Sequence, residues 1–257
     1  MFEKFQFTKT ETSPVIQNNY SSNNPFEEEF DNIFIDNFAE VNTIKYVSDF
    51  LEKLFKKGIK TNLNKHDSYE VYVKHQKIKT TDPERIKKWL NEEWQIKYEG
   101  FKNIFERNTL YIKDKKNAIC LGSRTGQEVK ALLDIGIDAI GIDLVEFLPY
   151  TIKGDIHNLE YEDEKFDFIF TNIMDHSLYP EVFCSEMQRV CSKYGIIIIH
   201  FQLGEFKDLY TETIINDPKK IISYFNEVEV LESRLIKNSH DYLDWELILK
   251  KNKVIIR

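Results

Sequence analysis

Only three cysteines occur in the 257 residues, at positions 120, 184 and 191. Three cannot all pair, and no cysteine and histidine set has the spacing of a zinc site, so no metal is expected. Cys184 and Cys191 stand on one face of an expected helix, where a core role is expected. A reduced, cytoplasmic compartment follows as the expectation. No apolar run approaches the roughly 20 residues of a membrane helix, so no membrane partner is expected. The opening stretch "MFEKFQFTKTETSPVIQNNYSSNNP" has neither the basic start nor the apolar centre of a secretory signal.

The chain does have a hydrophobic share of 42% and abundant aromatics, enough for one large domain or one domain with a sizeable extension. Its net charge of −8 is unevenly spread. Residues 53–117 carry 17 Lys and Arg against 9 Asp and Glu, a balance of +8, whereas residues 1–52 sum to −7 and 118–195 to −8. Such a basic segment is read either as a phosphate-facing patch, RNA included, or as the solvated face of a lysine-rich helix. The acidity of the whole argues against broad nucleic-acid binding.

Residues 1–25 are polar and rich in Asn and Ser, the pattern of a mobile arm. From Phe26 to about Lys57 apolar residues recur at helical spacing, which predicts one or two helices. "SYEVYVKH" alternates, with Tyr69, Val71 and Val73 on one face, which predicts a strand. "TTDPERIKKWLNEEWQIKYEGFKNIFERN" predicts a long helix. Thr81 or Asp82 caps it, Pro83 sits in its first turn, and Ile86, Leu90, Trp94, Ile96, Phe101, Ile104 and Phe105 form its buried stripe.

From Asn117 short apolar strands alternate with helices. "AICLG", "DAIGID", "TIKGDI", "KFDFIFTNI" and "IIIIHF" read as strands. "GQEVKALLDIG", "YPEVFCSEMQRVCSKYG", with Gly195 as its stop, and "DPKKIISYFNE" read as helices. "VEVLESRLI" and "YLDWELILKK" close the chain as an antiparallel pair. The expected fold is α/β: a doubly wound, mostly parallel seven-stranded sheet with an antiparallel C-terminal hairpin. Three parts follow: an arm at 1–25, a mainly helical N-terminal region at 26–110 that packs on the sheet, and the sheet domain at 111–257.

Ligands of such sheets sit outside the carboxyl ends of the strands. In "CLGSRTG", Gly122 and Gly126 permit a tight turn and a close backbone approach. About twenty residues on, Asp143 ends the next strand, where a carboxylate takes ribose hydroxyls.

These residues carry a resemblance. Residues 117–200 resemble class I S-adenosylmethionine-dependent methyltransferases through five consecutive motifs, including "GDIHNLEYEDEKFDFIFTNIMDHSLYPEVFCSEMQRVCSKYGIIIIH". The resemblance does not cover residues 1–110. It implies S-adenosyl-L-methionine as cofactor, with Gly122, Ser123 and Gly126 along its methionine and ribose parts and Asp143 on the ribose. It implies Asp155 at the adenine amino group, Ile156 against the ring, and Asn172 at the methionine end.

The pattern departs from the family in three places. Cys120 stands where the family has an acid, and Arg124 where it has glycine. Arg124 either reaches the cofactor carboxylate with its guanidinium, pairs with Glu128, or blocks the pocket. Only ten residues, "LVEFLPYTIK", separate Asp143 from Gly154, too few for the usual crossover helix. The long helix at 83–107 is expected to cover the sheet thus bared near its second and third strands.

Methyl transfer is an in-line displacement at an activated donor, so alignment and exclusion of water carry much of it. His176, on the rim after the fourth strand, is the candidate base or substrate contact, and Asp175 beside it the candidate orienting or amine-binding group. Each has a plain alternative as a loop residue. His200 is read as a rim residue or a satisfied core histidine, His157 as lining the adenine side, and Tyr179 as pocket wall or helix-start packing. The expected function is S-adenosylmethionine-dependent methyl transfer to an unidentified small molecule, protein or RNA. The alternatives are a catalytically inactive methyltransferase-fold subunit for binding or assembly, and a nucleotide oxidoreductase.

Overall fold

The computed structural model describes residues 66–204, 209–236 and 243–252. The arm expected at 1–25 and the helices expected over 26–57 lie outside the described residues. Seven strands form one sheet: β1 (Asn117–Leu121), β2 (Asp138–Asp143), β3 (Thr151–Lys153), β4 (Phe166–Thr171), β5 (Cys191–Phe201), β6 (Val228–Leu235) and β7 (Trp245–Lys251). Their order is β3-β2-β1-β4-β5-β7-β6. The first five run parallel, and β7 lies antiparallel between β5 and β6. The isoleucine run from Ile196 is buried on both faces of β5, as a central strand requires. Strand order reverses between β1 and β4, which opens a crevice above their carboxyl ends.

The segment expected as a strand is helix α1 (Tyr69–Thr81). Ser68 caps it, its hydroxyl accepting the Val71 N–H at 3.4 Å. The buried residues are 69, 72, 73, 76, 79 and 80, a helical series, and Val71 is exposed. Alternation over Tyr69, Val71 and Val73 fitted a strand only because the run is short. Long-range partners settle it: the Tyr72 hydroxyl donates to the His176 carbonyl at 2.9 Å, and the Gln76 amide donates to the Tyr210 carbonyl at 2.9 Å.

Asp82 caps the next helix, α2 (Pro83–Lys88), by accepting the Glu84 N–H at 2.9 Å. A π-helical turn (Trp89–Glu93) follows, and then α3 (Trp94–Arg107). The wide turn shifts the helical face by a residue. Trp89 is therefore buried, while Leu90 and Ile96, expected in the stripe, are exposed. After α3 comes the short α4 (Thr109–Ile112).

On one face of the sheet α3 lies beside α5 (Gln127–Asp134). The Phe105 ring meets Phe168 and Phe170 edge-on, at 5.9 and 5.3 Å, in one cluster with Ala118, Cys120 and Ile198. The expected site of cover is thus corrected: α3 sits over β1 and β4, and Trp94, 6.4 Å from Tyr150, reaches the short crossover. No helix forms between β2 and β3. The other face carries α6 (Pro180–Val190) and α7 (Pro218–Ile222). Helix α6 stops at Val190, not at Gly195. Cys191 already begins β5, because Phe166 of β4 pairs with it. All three cysteines are buried, and none pairs with another.

Candidate functional site

The loop after β1 is shaped by two left-handed glycines. A Cβ on Gly122 (φ +78) would fall 2.4 Å from the Ile173 side chain. A Cβ on Gly126 (φ +80) would fall 2.3 Å from Cβ of Tyr150. Gly122 thus makes room for Ile173 at the crevice floor, and Gly126 lets the loop close on the helix-less crossover. Between them Arg124 is also left-handed, at φ 50. That conformation costs a non-glycine residue on the order of 1 kcal/mol. Two contacts offset it: the Arg124 N–H donates to Asp143 Oδ2 at 3.0 Å, and its guanidinium lies 4.6 Å from the centroid of the Trp89 ring.

Burial pushes the Asp143 carboxyl above the ordinary range, although the Arg124 charge and the N–H groups of residues 124, 145 and 144 pull the other way. Asp155 is partly desolvated too, but hydrogen bonds prevail and its carboxyl sits below the ordinary range. It accepts the His157 N–H at 2.8 Å and the Tyr69 hydroxyl at 2.6 Å. The Tyr69 oxygen stands 2.8 Å from His157 Nδ1, and His157 Nε2 stands 2.8 Å from the Ser177 hydroxyl. Since Tyr69 donates to Asp155, Nδ1 carries the His157 proton and Nε2 accepts from Ser177. The closed chain Asp155–Tyr69–His157–Ser177 pins α1 over the rims of β3 and β4.

Beneath α1 lies a cleft of about 550 Å³, its open mouth included. Gly122, Arg124, Asp143, Asp155, Ile156 and His176 all line it. Five of the residues expected at the cofactor and one expected at the chemistry thus meet in one place. Its roof was not foreseen: Tyr72, Gln76, Lys79 and Thr80 come from α1. The helical spacing of 69, 72, 73, 76, 79 and 80 was the signal for it. Asn172 and Ser123 line a smaller adjoining cavity, with Trp89, Lys97 and Gln127. Gly122 and Arg124 border both cavities. The Ser123 hydroxyl is turned to Thr151 Oγ1, 2.9 Å away. Gly126 is not on either lining.

His176 closes a short turn, Met174–His176, after β4. Its Nδ1 lies 2.9 Å from the Tyr210 carbonyl and its Nε2 2.8 Å from Lys79 Nζ. A carbonyl only accepts, so Nδ1 holds the proton and the Nε2 lone pair faces the lysine ammonium. The Asp175 carboxylate is 3.9 Å from the same Nε2. His200 is a buried core histidine, 2.8 Å from Glu246 Oε2. That carboxylate also receives Arg107, Asn108 and Arg234. Tyr179 starts α6, buried and stacked on Tyr69 at 6.0 Å.

Residues 119–199 match the family model described as a methyltransferase domain. No curated protein matches the chain. Among solved structures it is similar to the PH0226 protein from Pyrococcus horikoshii OT3, with 15% identity, 68% of this chain and 96% of that chain covered, and a TM-score of 0.52. It is also similar to 1,6-didemethyltoxoflavin-N1-methyltransferase from Burkholderia thailandensis, solved with 1,6-didemethyltoxoflavin and S-adenosylhomocysteine. There the identity is 10%, the coverage 70% of this chain and 90% of that chain, and the TM-score 0.53. At these identities the likeness is one of fold.

Proposed function

We propose that this chain, which carries a class I S-adenosylmethionine-dependent methyltransferase domain, holds its cofactor in the crevice under α1 and transfers a methyl group there. The carrying observation is the convergence of Gly122, Arg124, Asp143, Asp155 and Ile156 on one cavity at the strand ends. The donor set fits the cofactor. Asp143 and Asp155 offer carboxylate oxygens to the ribose hydroxyls and the adenine amino group, and Ile156 offers an apolar face to the ring. Arg124, steadied on Trp89, offers a cation to the methionine carboxylate, and Asn172 lines the neighbouring cavity on that side. Ser123 and Gly126 shape the loop that positions these groups.

When bound, the cofactor supplies a methyl group already activated on sulfur. The chain's own contribution is alignment and exclusion of water. The α1 roof, tied down through Tyr69 and Tyr72, covers one side of the crevice. His176 acts as a contact on the acceptor side, because its one lone pair is taken by Lys79. Asp175 steadies that end of the crevice: its carbonyl accepts the N–H groups of Glu212 and Thr213 at 2.8 and 2.9 Å. The positive balance of residues 53–117 favours acceptors that carry negative charge, a phosphate or RNA among them.

A second reading, a methyltransferase fold kept for binding alone, is motivated by Cys120. It is buried among the α3 aromatics where the family has an acid. Calorimetry of the full chain with S-adenosylhomocysteine and with NAD separates the readings. Micromolar binding of the first and none of the second is expected, and no binding of S-adenosylhomocysteine overturns the proposal. A cytoplasmic enzyme is the matching expectation for location. Among the described residues no helix is long and apolar enough to cross a membrane.

A further inference from the structure

We infer that Trp89 is a positioning residue for Arg124, and that the pair makes the site select its donor by the donor's carboxylate. The inference rests on the cofactor reading above, and it puts part of cofactor selection in helices outside the matched residues 119–199. Trp89 opens the π-helical turn between α2 and α3 and is buried, 6% exposed. It nevertheless belongs to none of the three apolar clusters formed by the described residues. What it faces is the loop after β1. Its ring centroid lies 4.6 Å from the Arg124 guanidinium, and it lines the smaller cavity together with Gly122, Ser123 and Arg124. A tryptophan kept for packing alone would join the sheet cluster, as Phe101 and Phe105 of α3 do.

Arg124 is half-buried and borders both cavities. Its backbone is set by the left-handed φ of 50 and by the N–H bond to Asp143 Oδ2 at 3.0 Å. Its side chain is long and flexible, and a guanidinium that rotates freely must be ordered at the moment a ligand binds. The stack on Trp89 orders it beforehand. The Trp89 face is itself rigid, because the turn it opens runs directly into α3, whose Phe101 and Phe105 meet Phe170 edge-on at 5.7 and 5.3 Å. A planar guanidinium held by one face keeps its in-plane N–H donors directed outward, the fork that matches a carboxylate. A lysine ammonium has no such plane. Lys97 and Glu128 line the smaller cavity as well, with Lys97 bonded to Glu93 at 3.1 Å. Both stay unchanged in the variants that test the pair.

Calorimetry of the full chain with three ligands tests this. They are S-adenosylhomocysteine, its decarboxylated analogue, which keeps the amine, and 5′-methylthioadenosine, which lacks the whole amino-acid part. The readout is the affinity for the first divided by that for each of the others, so that a general loss of fold or of adenosine binding cancels. The wild type is expected to prefer the carboxylate-bearing ligand by about tenfold or more, as a charge-assisted contact implies. That preference should fall by about fivefold or more in Trp89→Leu and in Arg124→Gln, and should largely persist in Trp89→Phe, which keeps an aromatic face. The two residues act through one contact, so Trp89→Leu combined with Arg124→Gln should lose no more than Arg124→Gln alone. Arg124→Lys keeps the charge, lacks the stacking plane and leaves the helices untouched, and it too should lose the preference. That variant decides the matter if Trp89→Leu binds none of the ligands. An unchanged preference in Trp89→Leu, or a full one in Arg124→Lys, overturns the positioning role of Trp89. Equal binding of the three ligands by the wild type overturns selection by the carboxylate. Failure of the wild type to bind S-adenosylhomocysteine at all overturns the cofactor reading instead.

Discussion

Replacing Asp143 by asparagine separates binding from folding, because the two respond with opposite signs. The carboxylate is half-buried at the end of β2 and accepts the Arg124 N–H at 3.0 Å. In the variant the amide oxygen keeps that bond, while the amide nitrogen faces the ribose. Loss of a hydrogen bond to a charged group costs about 1.5–3 kcal/mol, so S-adenosylhomocysteine should bind roughly tenfold to hundredfold more weakly. Stability should not fall. Burial raises the Asp143 carboxyl above its ordinary value, ahead of the opposing Arg124 charge. An acid whose folded value is raised adds stability at low pH that is lost as pH rises through the folded value. At neutral pH the ionised Asp143 is therefore a net cost to the free protein, which the neutral amide removes. Urea unfolding at pH 7 is expected to give a midpoint equal to or above that of the wild type. Cofactor affinity of the wild type should weaken as acid protonates Asp143, and the Asn variant should lose that dependence. Affinity within threefold of wild type in a folded variant would refute the ribose assignment. A lowered midpoint would refute the desolvation argument.

Other substitutions test the scaffold. Glu246→Ala strips a buried carboxylate from His200, Arg107, Asn108 and Arg234, and should cost about 3–5 kcal/mol in urea unfolding. Burial alone would raise the Glu246 carboxyl, but His200, Arg107 and Arg234 outweigh it and hold it well below the usual range. Its contribution is therefore present above the unfolded value and lost as pH falls toward the folded one, so acid unfolding should come earlier in proportion in the wild type than in Glu246→Gln. Tyr69→Phe removes the hydroxyl shared by Asp155 and His157 and should cost about 1–3 kcal/mol. A fragment of residues 110–257 should aggregate, since it bares Phe168 and Phe170 where Phe101 and Phe105 cover them. A soluble fragment that unfolds cooperatively would count against this.

The α/β alternation from Asn117 onward made the doubly wound sheet and its closing hairpin legible, because each strand is a short apolar run followed by a helical one; the strand order, in which β1 lies beside β4 and β7 between β5 and β6, was not. The glycine loop, Asp143, and Asp155 with Ile156 were legible for the same reason: short βα connections place them on one rim, whatever lies above it. The missing crossover helix was legible from chain length alone. What lay beyond local pattern was the roof. Thirteen residues of α1 bear too few apolar positions to distinguish a period of 2 from one of 3.6, and the deciding bonds reach from Tyr69, Tyr72 and Gln76 to residues 155, 176 and 210. The π-turn that sends Trp89 inward and leaves Leu90 in solvent is likewise set by what α3 meets on the sheet. Arg124 shows the division most clearly. Its sequence neighbours offered it Glu128 or a ligand, but the face it lies on is Trp89, thirty-five positions earlier in the chain, brought there only when α3 packs over β1 and β4.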